Sequence, residues 1–165
     1  MPEPNLASAG GSPDAYGIRV VRANDAAAVA RILATLPQWF GIPESNDHYV
    51  EAAASMQSYL AATGDRVVGV LLTTIHFAEA AEVYLMAVDA AYRRRGIGTR
   101  LMEAARAELR RDGVRFLQVK TLGPSRPDEN YAATRRFYEH CGFTPLEELL
   151  QLWEGNPCLL MVAAL

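Results

Sequence analysis

The stretch that decides the fold reads VYLMAV at residues 83–88 and DAAYRRRGIGTRL at residues 89–101. The first segment is apolar and begins and ends with a β-branched residue, which is typical of a buried strand. The second is an Arg-rich turn with two glycines that opens a helix. Because the first N–H groups of a helix lack intrahelical partners and its N-terminal end carries a positive dipole, such a turn suits a phosphate group. The sequence therefore predicts a pyrophosphate cradle between a strand and a helix.

The glycine spacing narrows the kind of ligand. A P-loop requires G-x-x-x-x-G-K-[ST], and a dinucleotide fingerprint requires a third glycine three residues after Gly98, where Leu101 stands. The sequence meets neither pattern. Arg93-x-x-Gly96-x-Gly98 instead resembles the acyl-CoA signature [RQ]-x-x-G-x-[GA] of the GNAT superfamily of acetyl-CoA-dependent N-acetyltransferases. A tight turn that binds no ligand is the alternative reading of these glycines.

A second motif supports the same resemblance. Residues 131–143, YAATRRFYEHCGF, are similar to the closing helix and strand of the superfamily, in which an aromatic-Tyr pair is followed by Gly-Phe. The resemblance extends from Ile18 to Leu165. It implies an α/β (α+β) fold of the GNAT type, in which helices flank a mixed central sheet of about six or seven strands. It also implies one domain over residues 16–165, and a homodimer, because relatives are often dimers.

Composition excludes several classes of protein. The chain has 165 residues, half of them apolar, which is enough for one domain with a core. A net charge of -3 argues against a nucleic-acid binder with a general basic surface. No apolar run reaches the ~18 residues of a membrane span, and the N-terminus lacks the pattern of a signal peptide, so we expect a cytoplasmic protein without a membrane partner. Residues 1–15 are expected to form a flexible tail.

The cysteines and histidines do not suggest a metal site. Cys141 and Cys158 lack metal-ligand spacing and companions, and the three histidines are scattered. We therefore expect reduced thiols in apolar surroundings and no metal.

Hydrophobic periodicity predicts the element order β-α-α-β-β-β-α-β-α-β-β. Asn24 is expected to cap the first helix, and the second is expected to run from about Asn46 or Asp47 to Met56. A hairpin is expected across the turn at Gly64-Asp65. The last helix is expected over Tyr131 to Cys141, with Ala133, Phe137 and Cys141 on its core face.

The resemblance assigns residues to acetyl-CoA. It implies that backbone N–H groups at Met86, Ala87 and Val88 bind the pantetheine arm and the thioester oxygen. It implies that the following turn holds the pyrophosphate, through Arg93, Arg94, Arg95, Gly96, Ile97, Gly98 and Thr99. On the last helix it implies contacts from Asn130 and Thr134, although the usual asparagine position, seven residues before Tyr138, is occupied here by Tyr131.

Two residues are candidates for proton transfer. In many members of the superfamily a tyrosine at the place of Tyr138 protonates the departing thiolate, and a phenol with a pKa of about 10 is protonated at neutral pH. A buried tyrosine with a backbone partner is the alternative. Glu82 shares a strand face with Tyr84, Met86 and Val88 and matches the base of the histone-acetylating branch. A solvated glutamate at a strand start is the alternative there.

The acceptor is expected near the segment from residue 39 to residue 49 and near the turn at residues 153–156. Aromatic and acidic side chains could receive a cationic amine, the candidates being Trp39, Phe40, Glu44 and Tyr49. Trp39 and Phe40 could equally fill the core under a long loop. The predicted activity is acetyl transfer from acetyl-CoA to a primary amine by direct attack in a ternary complex. A non-catalytic acyl-CoA-binding sensor or regulatory module is the alternative.

Overall fold

The computed structural model describes residues 12–165 and places seven strands and four α-helices in the predicted order. The strands are β1 Ile18–Arg22, β2 Gln57–Thr63, β3 Arg66–Phe77, β4 Ala80–Val88, β5 Phe116–Leu122, β6 Thr144–Trp153 and β7 Asn156–Ala164. The helices are α1 Ala26–Ala34, α2 Pro43–Ala53, α3 Ile97–Arg111 and α4 Glu129–His140, and a 3₁₀ turn lies at Ala90–Tyr92.

The strands form one mixed sheet in the order β1-β2-β3-β4-β5-β7-β6. The pairs β1/β2, β2/β3, β5/β7 and β6/β7 are antiparallel, whereas β4 and β5 are parallel. The parallel pair is in register from Ala80 opposite Phe116 to Val83 opposite Val119. The predicted mixed sheet of about six or seven strands flanked by helices is confirmed.

Residue contacts divide the chain into two compact units. Of the described residues, the first unit takes 12–74 and Leu85–Ala107, and the second takes Ile75–Tyr84 and Glu108–Leu165. Each has its own buried apolar side chains, such as Ile32 and Leu101 in the first and Leu117 and Met161 in the second. The single domain over residues 16–165 stays a prediction.

The predicted tail lies mostly outside the described residues. Asp14, near its end, is described and accepts hydrogen bonds from the N–H groups of Tyr16 and Ile18, both at 2.8 Å. Its carboxylate also lies 2.5 Å from the Arg100 guanidinium of α3. The N–H of Ile18 is the largest of the influences that lower the Asp14 pKa.

Two predicted helix starts were wrong, each for a local reason. The α1 cap is Asp25, whose carboxylate accepts the Ala28 N–H at 2.8 Å, while the Asn24 amide donates to the carbonyl oxygens of Ala53 and Met56. Helix α2 begins at Pro43, because proline in the first helical turn loses no intrahelical hydrogen bond.

The core face expected for α4 was also wrong. The sequence pattern placed Ala133, Phe137 and Cys141 toward the core, but Ala133 is exposed and Tyr138 is 7% exposed. The Tyr138 ring packs edge-to-face against Phe137 and Phe143, with centroid distances of 5.5 Å to each. Large rings therefore determine which side of α4 is covered. In the part of the chain that is described, no helix is long and apolar enough to cross a membrane.

Candidate active site

The turn after β4 has a backbone suited to close approach by a ligand. Asp89 follows β4, is 2% exposed, and accepts the Ala91 N–H at 3.0 Å, which caps the 3₁₀ turn. Arg94 and Gly96 then adopt left-handed conformations, with φ of 62° and 73°. A Cβ at Gly96 would meet no heavy atom within 4 Å, so open space faces this position. The next residue, Ile97, begins α3 and is buried.

Charge and helix geometry give this turn the chemistry of an anion site. Arg93, Arg94 and Arg95 are all exposed, and the N–H groups of the first helical turn beside them lack intrahelical acceptors. Positive side chains and the positive end of the α3 dipole thus meet at one place. The arrangement fits the diphosphate of CoA, which is the role predicted for the turn from Arg93 to Thr99.

Gly69 on β3 lets the start of α3 pack closely. A Cβ at Gly69 would lie 2.9 Å from Ile97 Cγ2 and 3.1 Å from Leu101 Cδ1. Contacts of that length would force Ile97 and Leu101 to move. The N-terminal turn of α3 can therefore lie this close to β3 only because Gly69 has no side chain. Gly69 is not among the residues predicted from the sequence, because strand alternation does not reveal which helix crosses a strand.

The strand that leads into the turn has the predicted alternation. Leu85 and Ala87 are each 4% exposed, whereas Tyr84, Met86 and Val88 are half-buried. Glu82 is 7% exposed rather than solvated. The binding of the pantetheine arm by the backbone at residues 86–88 remains a prediction.

The predicted acceptor segment has two aromatic contacts. The Arg93 guanidinium lies 4.4 Å from the centre of the half-buried Trp39 ring. Phe40 and Tyr49 meet edge-to-face at 5.8 Å, and the Phe40 carbonyl accepts a 2.8 Å hydrogen bond from the Asn46 amide. Glu44 is exposed in the first turn of α2.

In the second unit, Glu82 is the centre of a polar cluster. Its Oε2 lies 2.6 Å from His76 Nε2 and accepts hydrogen bonds from Gln118 Nε2 and Lys120 Nζ, both at 2.8 Å. Burial by itself would raise the Glu82 pKa, but the hydrogen bonds from Lys120, His76 and Gln118, together with the Lys120 charge, lower it overall. Glu82 is therefore an ionised carboxylate at neutral pH.

Three members of this cluster are not among the site residues predicted from the sequence. Gln118 lies directly opposite Glu82 in the parallel register of β4 and β5, and Lys120 follows two residues later on the same strand face. His76 comes from the end of β3. The register of two parallel strands joined by a helix cannot be read from residue spacing, so no local pattern predicts this pairing.

The remaining predicted residues lie on or near α4. Tyr138 is buried against Phe137 and Phe143, as described above. Thr134 is half-buried, and its hydroxyl donates to the carbonyl oxygen of the exposed Asn130 at 3.2 Å. The Asp128 side chain caps the helix by accepting the Tyr131 N–H at 2.9 Å.

The cysteines are not organised for metal binding. Among residues 12–165, no group of three or more His, Cys, Asp or Glu side chains could hold a metal ion. Cys141 and Cys158 are free thiols. The pKa of Cys158 is raised, mainly because the thiol is buried. The nearby Lys120 charge lowers this pKa, and the Glu82 charge raises it further.

Comparisons with solved structures agree with this architecture. A protein from Desulfovibrio desulfuricans that is assigned to the GNAT family of acetyltransferases superposes with a TM-score of 0.78 at 24% identity, covering 89% of this chain and 98% of its own. A GNAT family acetyltransferase from Elizabethkingia anophelis, with acetyl-CoA bound, gives 0.70 at 17% identity and covers 90% and 99%. The ribosomal-protein-S18-alanine N-acetyltransferase of Escherichia coli gives 0.71 at 18% identity and covers 89% and 93%.

A search of curated proteins found no match. At these identities the structural likeness establishes the fold. The family is established by a sequence model of the acetyltransferase (GNAT) domain, which matches residues 54–145 and so covers more than half of the chain. The matched region contains β4, the Arg-rich turn, the Glu82 cluster and α4. This chain therefore belongs to the GNAT family of acetyltransferases and is an acyltransferase.

Proposed function

We propose that this acyltransferase moves an acetyl group from acetyl-CoA to a primary amine of a small molecule or peptide. The main support for this proposal is the turn from Arg93 to Thr99, where three exposed arginines and a left-handed Gly96 directly precede α3. Acetyl-CoA bound in the Elizabethkingia neighbour supports the choice of donor. The name of the Escherichia coli neighbour, an alanine N-acetyltransferase, supports an amine as acceptor.

Donor binding is assigned to the Arg-rich turn, β4 and α4. Arg93, Arg94 and Arg95 neutralise the diphosphate, and the N–H groups from Gly96 to Thr99 donate to its oxygens. The backbone at residues 86–88 receives the pantetheine arm and donates to the thioester oxygen, which stabilises the negative charge that develops there. Asn130 and Thr134 add contacts from α4.

Tyr138 is assigned as the general acid. Attack by a neutral amine expels the sulfur of CoA, which leaves more readily as a neutral thiol than as a thiolate. The Tyr138 hydroxyl gives its proton to the sulfur and regains one from the amide nitrogen as the product forms. A phenol is suited to this step because it holds its proton at neutral pH.

Removal of the amine proton is assigned to the site of Glu82. An amine with a pKa near 10 is about one part in a thousand neutral at pH 7, which corresponds to a handicap of roughly 4 kcal/mol. An ionised Glu82 can promote loss of the amine proton through a water or a neighbouring side chain. The amine itself is assigned to Trp39, Phe40, Glu44 and Tyr49, through cation–π and charge contacts.

Release of free CoA thiol tests this function. The intact protein is incubated with acetyl-CoA and a panel of amino acids, polyamines, aminoglycosides and peptides. Thiol release that depends on one class of amine, with the acetylated amine found by mass spectrometry, is the expected result. No release with any amine, or acetylation of a hydroxyl, would overturn the proposal.

A matched pair of variants ties the activity to the turn. Gly96→Glu places a carboxylate where the diphosphate is expected, whereas Gly113→Glu introduces the same side chain at another glycine with positive φ and open space. We expect activity to be lost in the first variant and kept in the second. Equal losses would mean that backbone strain, rather than phosphate binding, explains the effect.

The cellular location and oligomeric state belong to this proposal as well. We propose a cytoplasmic location and a homodimer, of which the homodimer is supported by the resemblance to the family. Light scattering of the purified protein in solution measures the mass directly, and a mass of one chain would contradict the dimer.

A further inference from the structure

The two oxygens of the Glu82 carboxylate are already engaged. Oε2 has three partners, at 2.6 Å from His76 and 2.8 Å from Gln118 and Lys120, and Oε1 accepts from Lys120 at 3.1 Å. The residue is 7% exposed. A carboxylate stabilised by so many donors holds a proton weakly, because each hydrogen bond favours its charged form. Glu82 is therefore a poor direct acceptor for the proton of an ammonium ion.

His76 has the opposite properties. Its side chain is 41% exposed, and it reaches Glu82 through Nε2. Because ionised Glu82 can only accept hydrogen bonds, Nε2 must carry a proton. In the neutral imidazole the lone pair then resides on Nδ1. Imidazole is also the side chain whose ordinary pKa lies nearest to neutrality, which suits exchange of a proton with both an amine and water.

We propose that His76 is the general base for the acceptor amine and that Glu82 is a positioning residue which fixes the His76 tautomer. This assignment rests on the proposed amine acetylation. The proton leaves the ammonium nitrogen, forms an N–H bond at His76 Nδ1, and leaves behind the neutral amine that attacks the thioester. His76 then carries a positive charge that Glu82 stabilises, and it releases the proton to water.

The groups around the pair determine its pH dependence. Glu82 faces His76 from β4, and Lys120 faces Glu82 from β5. On β7, Cys158 is influenced by both Lys120 and Glu82, and its raised pKa keeps the thiol neutral. The Lys120 ammonium lies 2.8 Å from Glu82 Oε2 and balances the negative charge of the carboxylate.

The kinetic test compares His76→Gln with His140→Gln. His140 is an exposed histidine of the same unit, at the end of α4. The acceptor is the most active amine of the panel. We expect kcat/KM of His76→Gln at pH 7 to fall by about 10²- to 10⁴-fold, the range for loss of a general base, with a deficit that shrinks as the pH approaches the amine pKa. His140→Gln should keep the wild-type profile. A His76→Gln profile parallel to wild type would overturn the assignment.

Two further measurements separate this assignment from the function on which it rests. Added imidazole should partly restore acetyl transfer by His76→Gly, and no restoration would count against His76 as the base. Nitrogen-15 spectra of the histidine rings should show His76 as the Nε2–H tautomer in the wild type and a shift toward the other tautomer in Glu82→Gln. A wild-type Nδ1–H tautomer would overturn the geometry. The spectrum is recorded without an acceptor. If the spectrum shows the expected tautomer but no amine of the panel is acetylated, the result counts against the proposed amine acetylation alone.

Discussion

The guanidinium of Arg93 lies 4.4 Å from the centre of the Trp39 ring. Arg93 was predicted to bind phosphate, and Trp39 was predicted either to contact the acceptor or to fill the core. A cation–π contact of this kind is worth about 0.5–1 kcal/mol at an exposed site, less than a charge-assisted bond to phosphate. A bound diphosphate can therefore draw Arg93 away from Trp39.

We expect this exchange to change the fluorescence of Trp39 when acetyl-CoA binds. The chain has two tryptophans, so the measurement uses a Trp153→Phe background. The change should vanish in Arg93→Met and persist in Arg110→Met, which removes one positive charge from the last turn of α3. Binding detected by calorimetry without a change in Trp39 emission would contradict the exchange.

The packing of Gly69 against α3 predicts a coupling between stability and donor affinity. Gly69→Ala forces a Cβ against Ile97 and Leu101 and should lower the free energy of unfolding by about 1–3 kcal/mol, the usual cost of overpacking. Because Ile97 begins α3, we expect the affinity for acetyl-CoA to fall as well. Urea denaturation and calorimetry measure the two effects. In an Ile97→Ala background the stability cost should be smaller, and equal costs would show that the contact with Ile97 is unimportant.

The buried ring of Tyr138 allows a clean test of its hydroxyl. Tyr138→Phe keeps the edge-to-face contacts with Phe137 and Phe143, so we expect the fold to be retained. If the hydroxyl protonates the thiolate, the turnover rate should fall by about 10²- to 10⁴-fold while the affinity for acetyl-CoA changes little. Steady-state rates and a direct binding measurement decide the matter. An unchanged rate would assign Tyr138 to the core alone.

Local signals explain which parts of this molecule could be predicted from the sequence. The strand-turn-helix around Gly96 and the hairpin at Gly64-Asp65 are encoded within a few residues by alternation and by residues that tolerate positive φ. The element order followed from the same signals, whereas the mixed central sheet was implied by the family resemblance, and both are confirmed. The roles of the site residues remain predictions.

What could not be predicted depends on contacts between distant segments. The Glu82 cluster needs the register that sets Gln118 opposite Glu82, and that register is determined by how β4 and β5 pair in three dimensions. The covered side of α4 depends on Phe143, which lies beyond the helix. In both cases the local sequence shows which residues are present but not which distant residues they contact.

The depressed pKa of Glu82 has a consequence for stability that does not depend on any substrate. Burial opposes ionisation, but the hydrogen bonds from Lys120, His76 and Gln118 outweigh it and move the pKa below its ordinary value of 4.5. A carboxyl whose pKa is lower in the folded state adds stability above its unfolded pKa, and this stability is lost as the pH falls through the folded pKa. The free energy of unfolding should therefore fall as the pH drops below the ordinary Glu pKa of 4.5, and part of that fall should be absent in Glu82→Gln. Urea denaturation at several pH values measures it, with Glu103→Gln, an exposed glutamate of α3, as the control. If Glu82→Gln and wild type lose stability in parallel over this range, the hydrogen bonds to Glu82 do not favour its ionised form in the folded protein.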